Sequence, residues 1–126
     1  MILADTSVWI DFLRGSGSES GLEMQSLLAE ARIVMHPFVV AEVALGSLHN
    51  RQQTFTLMES LWQVKSAELG EVRQMIEAHR LYSRGLGLID VHLLASCLLT
   101  PGARLWTRDA ELRKAAQSLG IEAVLP

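Results

Sequence analysis

Cysteine is nearly absent. Cys97 stands alone among 126 residues, so no disulfide can form within the chain, and its neighbours Leu94, Leu98 and Leu99 mark it as a small core residue rather than a nucleophile. Apolar runs approaching the roughly 20 residues needed to cross a bilayer are missing as well. The opening Met1-Ile2-Leu3-Ala4-Asp5 has neither the basic region nor the long apolar segment of a secretory signal. These absences exclude a disulfide-stapled secreted module and a helical membrane protein. They predict a soluble, cytoplasmic chain without a membrane partner. Zinc-ligand spacing is lacking too, since His36, His49, His79 and His92 form no such pattern. Positive charge is in short supply: the formal net charge is −3, whereas a nucleic-acid partner usually calls for a basic face. There is no internal repeat and no linker, and 49% hydrophobic residues supply one well-covered core, so residues 1–126 are expected to form a single domain.

What is present is an alternation of short apolar strands with amphipathic helices. Ile2-Leu3-Ala4 reads as a strand, and Asp5-Thr6-Ser7 opens a helix carrying Val8, Trp9, Phe12 and Leu13 at helical spacing. Arg14-Gly15-Ser16-Gly17-Ser18 is a loop by composition. A second helix is expected from Glu19 to Arg32, then a buried strand at Ile33-Val34-Met35. Pro37 suits the first turn of a third helix running to Leu45, with Gly46 placed to cap its end. Two further helices fall at 51–62 and 67–83, with a short strand at Trp62-Gln63-Val64 between them. After the break at Gly85-Leu86-Gly87, the run Leu88 to Leu99 reads as a mostly buried helix ending at Pro101-Gly102. Ala103 to Trp106 is a strand, Asp109 opens a last helix ended by Gly120, and Glu122 to Leu125 is a final strand. Parallel strands need crossover connections, so this order implies a mainly parallel sheet with helices on both faces.

In such sheets sites form beyond the carboxyl ends of the strands, and acids gather there. Asp5 directly follows the first strand, Asp109 follows Ala103 to Trp106, and Asp90 stands in the first turn of an apolar helix. Asp5 and Asp109, taken singly, are better explained by helix capping than by metal ligation. Glu42 is harder to dismiss, because it lies between Val39-Val40-Ala41 and Val43-Ala44-Leu45. A buried carboxylate without a partner is costly unless a cation meets it, and that cation is either an Arg or Lys from elsewhere or a metal shared with other acids. Oxygen-rich ligation suits hard ions such as Mg²⁺ or Mn²⁺, and ions of this kind activate water and neutralise a phosphodiester. Neutralising the four acids would move the formal charge of the remainder from −3 to +1, so the overall acidity does not argue against a nucleic-acid substrate.

Four blocks, Ile2-Leu3-Ala4-Asp5-Thr6-Ser7-Val8-Trp9-Ile10-Asp11, His36 through Gly46, Leu88-Ile89-Asp90 and Thr107-Arg108-Asp109, together resemble the PIN-domain toxins of the VapC type over essentially the whole chain. The resemblance implies a three-layer α/β/α sandwich and a Mg²⁺- or Mn²⁺-dependent endoribonuclease that hydrolyses RNA with a metal-activated water. It also implies inhibition by a cognate VapB-type antitoxin, a homodimer, and assembly with antitoxin on operator DNA. By position, Asp5, Glu42, Asp90 and Asp109 match the family's acidic quartet as metal ligands. The hydroxyl of Thr6 or Ser7 would orient Asp5 or a water of the metal, and Thr107 is a weaker supporting candidate.

Asp11 and Glu111 read as solvated or supporting acids. Arg14, Arg84 and Arg108 lie in or beside loops where they could meet phosphate, Arg14 being the best placed. His36 reads as a local hydrogen-bonding residue, and Trp9, Phe12, Phe38 and Trp62 as packing residues rather than platforms for bases. Two departures from the family pattern, Glu111-Leu112 after the last ligand and His36 before Pro37, remove no ligand. A phosphatase of the haloacid-dehalogenase type would need a second Asp where Ser7 stands. A catalytically inactive PIN-fold module that binds RNA or protein, and a DNA-directed nuclease, are the competing readings. The intact quartet favours catalysis, while only the resemblance favours RNA over DNA.

Overall fold

A computed structural model describes all 126 residues. The first strand, β1 (Ile2–Ala4), leads into α1 (Thr6–Leu13) and α2 (Glu19–Ala29), and β2 (Ile33–Val34) into α3 (Pro37–Ala44), α4 (Arg51–Ser60), α5 (Leu69–Ala78) and α6 (Leu88–Leu99). The chain then forms β3 (Arg104–Trp106) and α7 (Ala110–Ser118). All strand pairs are parallel, in the order β2-β1-β3. Leu3 of the central strand faces Val34 on one side and Leu105 on the other. Every residue of β1 is buried, and because successive side chains point to opposite faces, both faces of the sheet must be covered. The molecule is thus the α/β/α sandwich expected, with Leu3, Trp9, Met24, Leu94, Leu105 and Trp106 at its centre.

The two strands expected at 62–64 and 122–125 contract to single parallel bridges, Met35 with Gln63 and Leu105 with Glu122, which extend the sheet by one pairing at each edge. Two helices are shorter than their apolar patterns suggest. The second ends at Ala29 rather than Arg32, because Ala31 turns into the left-handed region at φ 56°. The helix expected over 67–83 occupies Leu69–Ala78 and is followed by left-handed Arg80 and Ser83. Chain reversal at a left-handed residue is usually announced by glycine, and here it is not. Gly46 does not cap α3 in that way either. Leu45 closes the helix in a right-handed conformation, and the guanidinium of Arg51 donates to the carbonyls of Ala44 and Gly46, both at 3.1 Å.

Helix α6 is buried without interruption from Val91 to Cys97, and burial pushes the Cys97 thiol up to about 12, which fits a core residue. No helix is long and apolar enough to cross a membrane.

Candidate active site

Because β1 and β3 are parallel neighbours, the turns that follow them emerge side by side. The backbone N–H of Asp5 still donates to the carbonyl of Trp106 at 2.9 Å, so the end of β1 is fastened to the end of β3. Asp5 itself is only 5% exposed and is surrounded by donors. Its Oδ1 accepts from the Ser7 hydroxyl and from the N–H of Val8, and its Oδ2 accepts from the Thr107 hydroxyl. Those hydroxyls are in turn held by the neighbouring turn, since the N–H of Arg108 donates to Ser7 Oγ and that of Asp109 to Thr107 Oγ1, each at 3.0 Å. Two backbone amides after β3 therefore fix, through two hydroxyls, both oxygens of the acid after β1. Burial pushes the proton affinity of Asp5 up, the bonds from Ser7, Thr107 and Val8 pull it down, and the charge of Asp90 pushes it up again.

The other three acids each keep one oxygen for the protein. Asp109 caps α7 through Oδ1, which accepts from the N–H of Leu112 at 2.9 Å. Asp90 reaches back from the first turn of α6 so that Oδ2 accepts from the N–H of Gly87 at 3.2 Å. Glu42 accepts from the Thr6 hydroxyl through Oε1 at 2.5 Å. In each case the second oxygen accepts no hydrogen bond from the protein. The carboxyl of Asp90 is raised above the ordinary range, first by desolvation and then by the charges of Asp109 and Glu42. Asp5, Glu42, Asp90 and Asp109, drawn from four separate segments, thus share one electrostatic neighbourhood.

None of the chain's ion pairs involves this quartet. They join Arg32 to Glu30, Arg73 to Glu77, Arg108 to Asp11 and Lys114 to Glu111. Of the two cations that could have met Glu42, an arginine or lysine from elsewhere in the fold is therefore ruled out, and Glu42 is half-buried rather than sealed in the core. Neighbouring carboxylates with oxygens that accept nothing from the protein and no cation of their own suit a hard divalent ion. No three acidic, histidine or cysteine side chains stand close enough to form a ready-made cage, and an ion that keeps several waters and takes one or two carboxylates directly needs none.

Several supporting residues stand elsewhere than their sequence positions suggested. Ser7 does orient Asp5, but Thr6 orients Glu42 instead, and Thr107 turns out to be a direct partner of Asp5. Arg108 is not a free phosphate contact: its Nη1 meets Asp11 Oδ2 at 3.3 Å and donates to Ser20 Oγ at 2.5 Å. Asp11 is not solvated, because its side chain is 16% exposed and accepts from Ser18 and Ser20 besides pairing with Arg108. These bonds hold its carboxyl below the ordinary range, the two serines first and the arginine after them.

Glu111 is exposed and paired with Lys114. Arg14 and Arg84 have no ion-pair partner, and Arg14 is exposed while Arg84 is half-buried. The His36 imidazole is buried and accepts from the N–H of Phe38 at 2.9 Å, the local role expected of it. Burial, with a lesser push from His92, lowers it to about 4, so it is neutral at physiological pH. Trp9 is buried, Phe12 packs against the core and Phe38 stacks edge-on with His36 and His92, whereas Trp62 is largely exposed.

The sequence matches the family model described as the PIN domain over residues 2–118. Among curated proteins it is similar to Ribonuclease VapC32 of Mycobacterium tuberculosis, with 40% identity over 121 residues, covering 96% of this chain and 94% of that protein. It is also similar to VapC ribonuclease Mb1587 of Mycobacterium bovis and to Ribonuclease VapC11 of Mycobacterium tuberculosis, each 30% identical over 131 residues and covering 98% of this chain and 97% of the relative.

Proposed function

The chain belongs to the PIN-domain family as a VapC-type member, and we propose that it is the ribonuclease toxin of a toxin–antitoxin pair, an RNA-cleaving hydrolase whose metal ligands are Asp5, Glu42, Asp90 and Asp109. The observation that carries the chemistry is the quartet itself, four carboxylates that share one neighbourhood and have no protein cation. Mg²⁺ or Mn²⁺ bound there would supply positive charge to the phosphodiester and lower the pKa of an attacking water. The chain's own part is positioning. Ser7 and Thr107 fix the plane of the Asp5 carboxylate, Thr6 fixes Glu42, and the helix-capping bonds of Asp90 and Asp109 each hold one oxygen and leave the other without a protein donor. Orientation of this kind is what lets a weakly bound hydrated ion act at a defined point.

RNA as the substrate and a VapB-type protein as the inhibitor are supported by the relatives' names. A homodimer, and its assembly with antitoxin on operator DNA, extend the same reading. The test is cleavage of a single-stranded RNA pool by the purified chain in Mg²⁺ or Mn²⁺ and in EDTA, beside Asp5→Asn. Cleavage is expected only with the metal and to fall by at least about a hundredfold in the variant, the size of effect typical of losing a positioned catalytic group. Full activity in EDTA, or in Asp5→Asn of unchanged fold, would refute the assignment. Growth arrest on expression, relieved by the protein encoded alongside, is the expected sign of the toxin role.

A further inference from the structure

One helical turn along α1 from Thr6, and just beyond the end of α3 from Glu42, lies a cleft of about 490 Å³. Its lining includes Ile10 and Leu13 of α1, Arg14 after it, and Leu48, His49 and Asn50 from the connection between α3 and α4. Ile10 follows Thr6 by four residues, so the cleft begins about 6 Å along the α1 axis from the residue that orients Glu42.

The lining is of two kinds. Ile10, Leu13 and Leu48 make an apolar floor. Arg14, His49 and Asn50 are polar, and no acidic residue lines the cleft. Arg14 has no ion-pair partner, unlike Arg108. Asn50 occupies the N-cap position of α4, a place where asparagine ordinarily accepts from the helix, yet its side chain makes no cap hydrogen bond. Its amide, one donor group and one acceptor, is left available. The cleft is also pre-formed. Arg51 ties the carbonyls of Ala44 and Gly46 together and lies 5.2 Å from the Phe55 ring centre, so the connection that carries Leu48 to Asn50 is strapped to the end of α3.

An apolar part, an amide able to read a hydrogen-bonding edge and an unpaired guanidinium, lining one cleft, match the three parts of a nucleotide. The volume lies within the ordinary range of small-ligand sites. A cleft without acids, one helical turn from the residue that orients Glu42, complements a polyanion that must present one phosphate to the metal and lay its next unit elsewhere. Resting on the ribonuclease reading above, we infer that this cleft holds the unpaired nucleotide next to the scissile phosphate. Its base lies on Ile10, Leu13 and Leu48, the edge of that base is read by Asn50, and its phosphate is met by Arg14. The enzyme's base preference at that position is set here.

The test uses the full chain and single-stranded RNA hexamers that differ only in the base on either side of the cut. Arg14→Ala should raise KM about tenfold with kcat little changed, the pattern of lost uniform binding. Asn50→Ala should flatten the preference among the four bases at one flanking position and leave the other flank alone. Binding is read separately, by fluorescence anisotropy of labelled hexamers in EDTA with Asp90→Asn as the background. Arg14→Ala added to that background should weaken binding by a similar factor.

Wild-type cleavage with KM and base preference unmoved by both variants overturns the proposal. So does unchanged RNA kinetics combined with lost inhibition by the antitoxin, which would hand the cleft to the protein partner. If the wild type cleaves no RNA, the ribonuclease reading fails instead, and the anisotropy still decides the cleft, because equal binding with and without Arg14 overturns it.

Discussion

At the scale of single residues, the site is built from groups that also do ordinary structural work. Asp5 and Asp109 are helix caps, as their positions suggested, and Asp90 accepts from the N–H of Gly87, the residue that precedes its helix. Capping uses one oxygen, so a cap and a ligand are not alternatives for the same carboxylate. The cost appears first as desolvation and then as charge repulsion. The folded state raises the Asp90 carboxyl above its ordinary value of 3.8, so without metal the fold favours the protonated form more than the unfolded chain does. Ionisation at neutral pH then opposes folding, and that penalty disappears as pH falls through the raised value toward 3.8. Asp90→Asn retains an acceptor for the Gly87 N–H and removes the charge. In EDTA it should melt above the wild type at pH 7, with the gap closing as the pH approaches 4. Adding Mg²⁺ should reverse the order, since binding to the native state stabilises it by mass action. A variant that melts below the wild type in EDTA at pH 7 would show that the ionised carboxylate carries no net cost in the fold.

At the scale of elements, the connection of α1 to α2 is fastened to the turn before α7. Asp11 from α1, Ser18 and Ser20 at the start of α2, and Arg108 from the turn meet in one polar cluster. Asp11 is shielded but Arg108 is 43% exposed, so the ion pair is partly screened and the cluster should be worth about 1 kcal/mol. Arg108→Ala is expected to lower the melting temperature by about 4 °C and to reduce RNA cleavage only modestly. Loss of activity as complete as in Asp5→Asn, at an unchanged melting temperature, would instead make Arg108 a direct participant.

Elements whose ends carry a chemical signal were legible from the sequence. α1 behind its Asp5 cap, α3 with Pro37 in its first turn, and α7 behind its Asp109 cap fall where the pattern placed them. The ends of α2 and α5 were not legible, because Ala31, Arg80 and Ser83 take the left-handed conformation without being glycine. The Asp11 cluster was illegible for another reason. Its members come from three segments, and nothing local distinguishes a serine that faces solvent from one that faces a carboxylate on a neighbouring helix. Thr6 and Ser7 show the same limit at closest range. Adjacent hydroxyls in one helical turn point to different acids, and only the packing of α1 against α3 decides which.

For the molecule as a whole, the formal charge of −3 conceals an uneven distribution. Four negative charges are gathered at one end of the sheet, and the cleft beside them has none. Replacing the quartet with Asn and Gln takes the formal charge from −3 to +1. In EDTA that quadruple variant should bind single-stranded RNA more tightly than the wild type, and more so at low salt, because the repulsion is Coulombic. Equal affinity at low salt would mean that the RNA does not approach the acids.

The bond from Thr107 to Asp5 spans 102 positions of sequence, and this separation has a consequence in time. The chain emerges from the ribosome N-terminus first, so Asp5 exists from the outset without the strand that completes its surroundings. Only when Arg104 to Asp109 have been made, within the last quarter of the chain, can the acid after the first strand acquire its hydroxyl partner and its fourth companion. A nascent chain that stops short of Thr107 and Asp109 therefore holds neither the hydroxyl that fixes Asp5 nor the complete set of four acids.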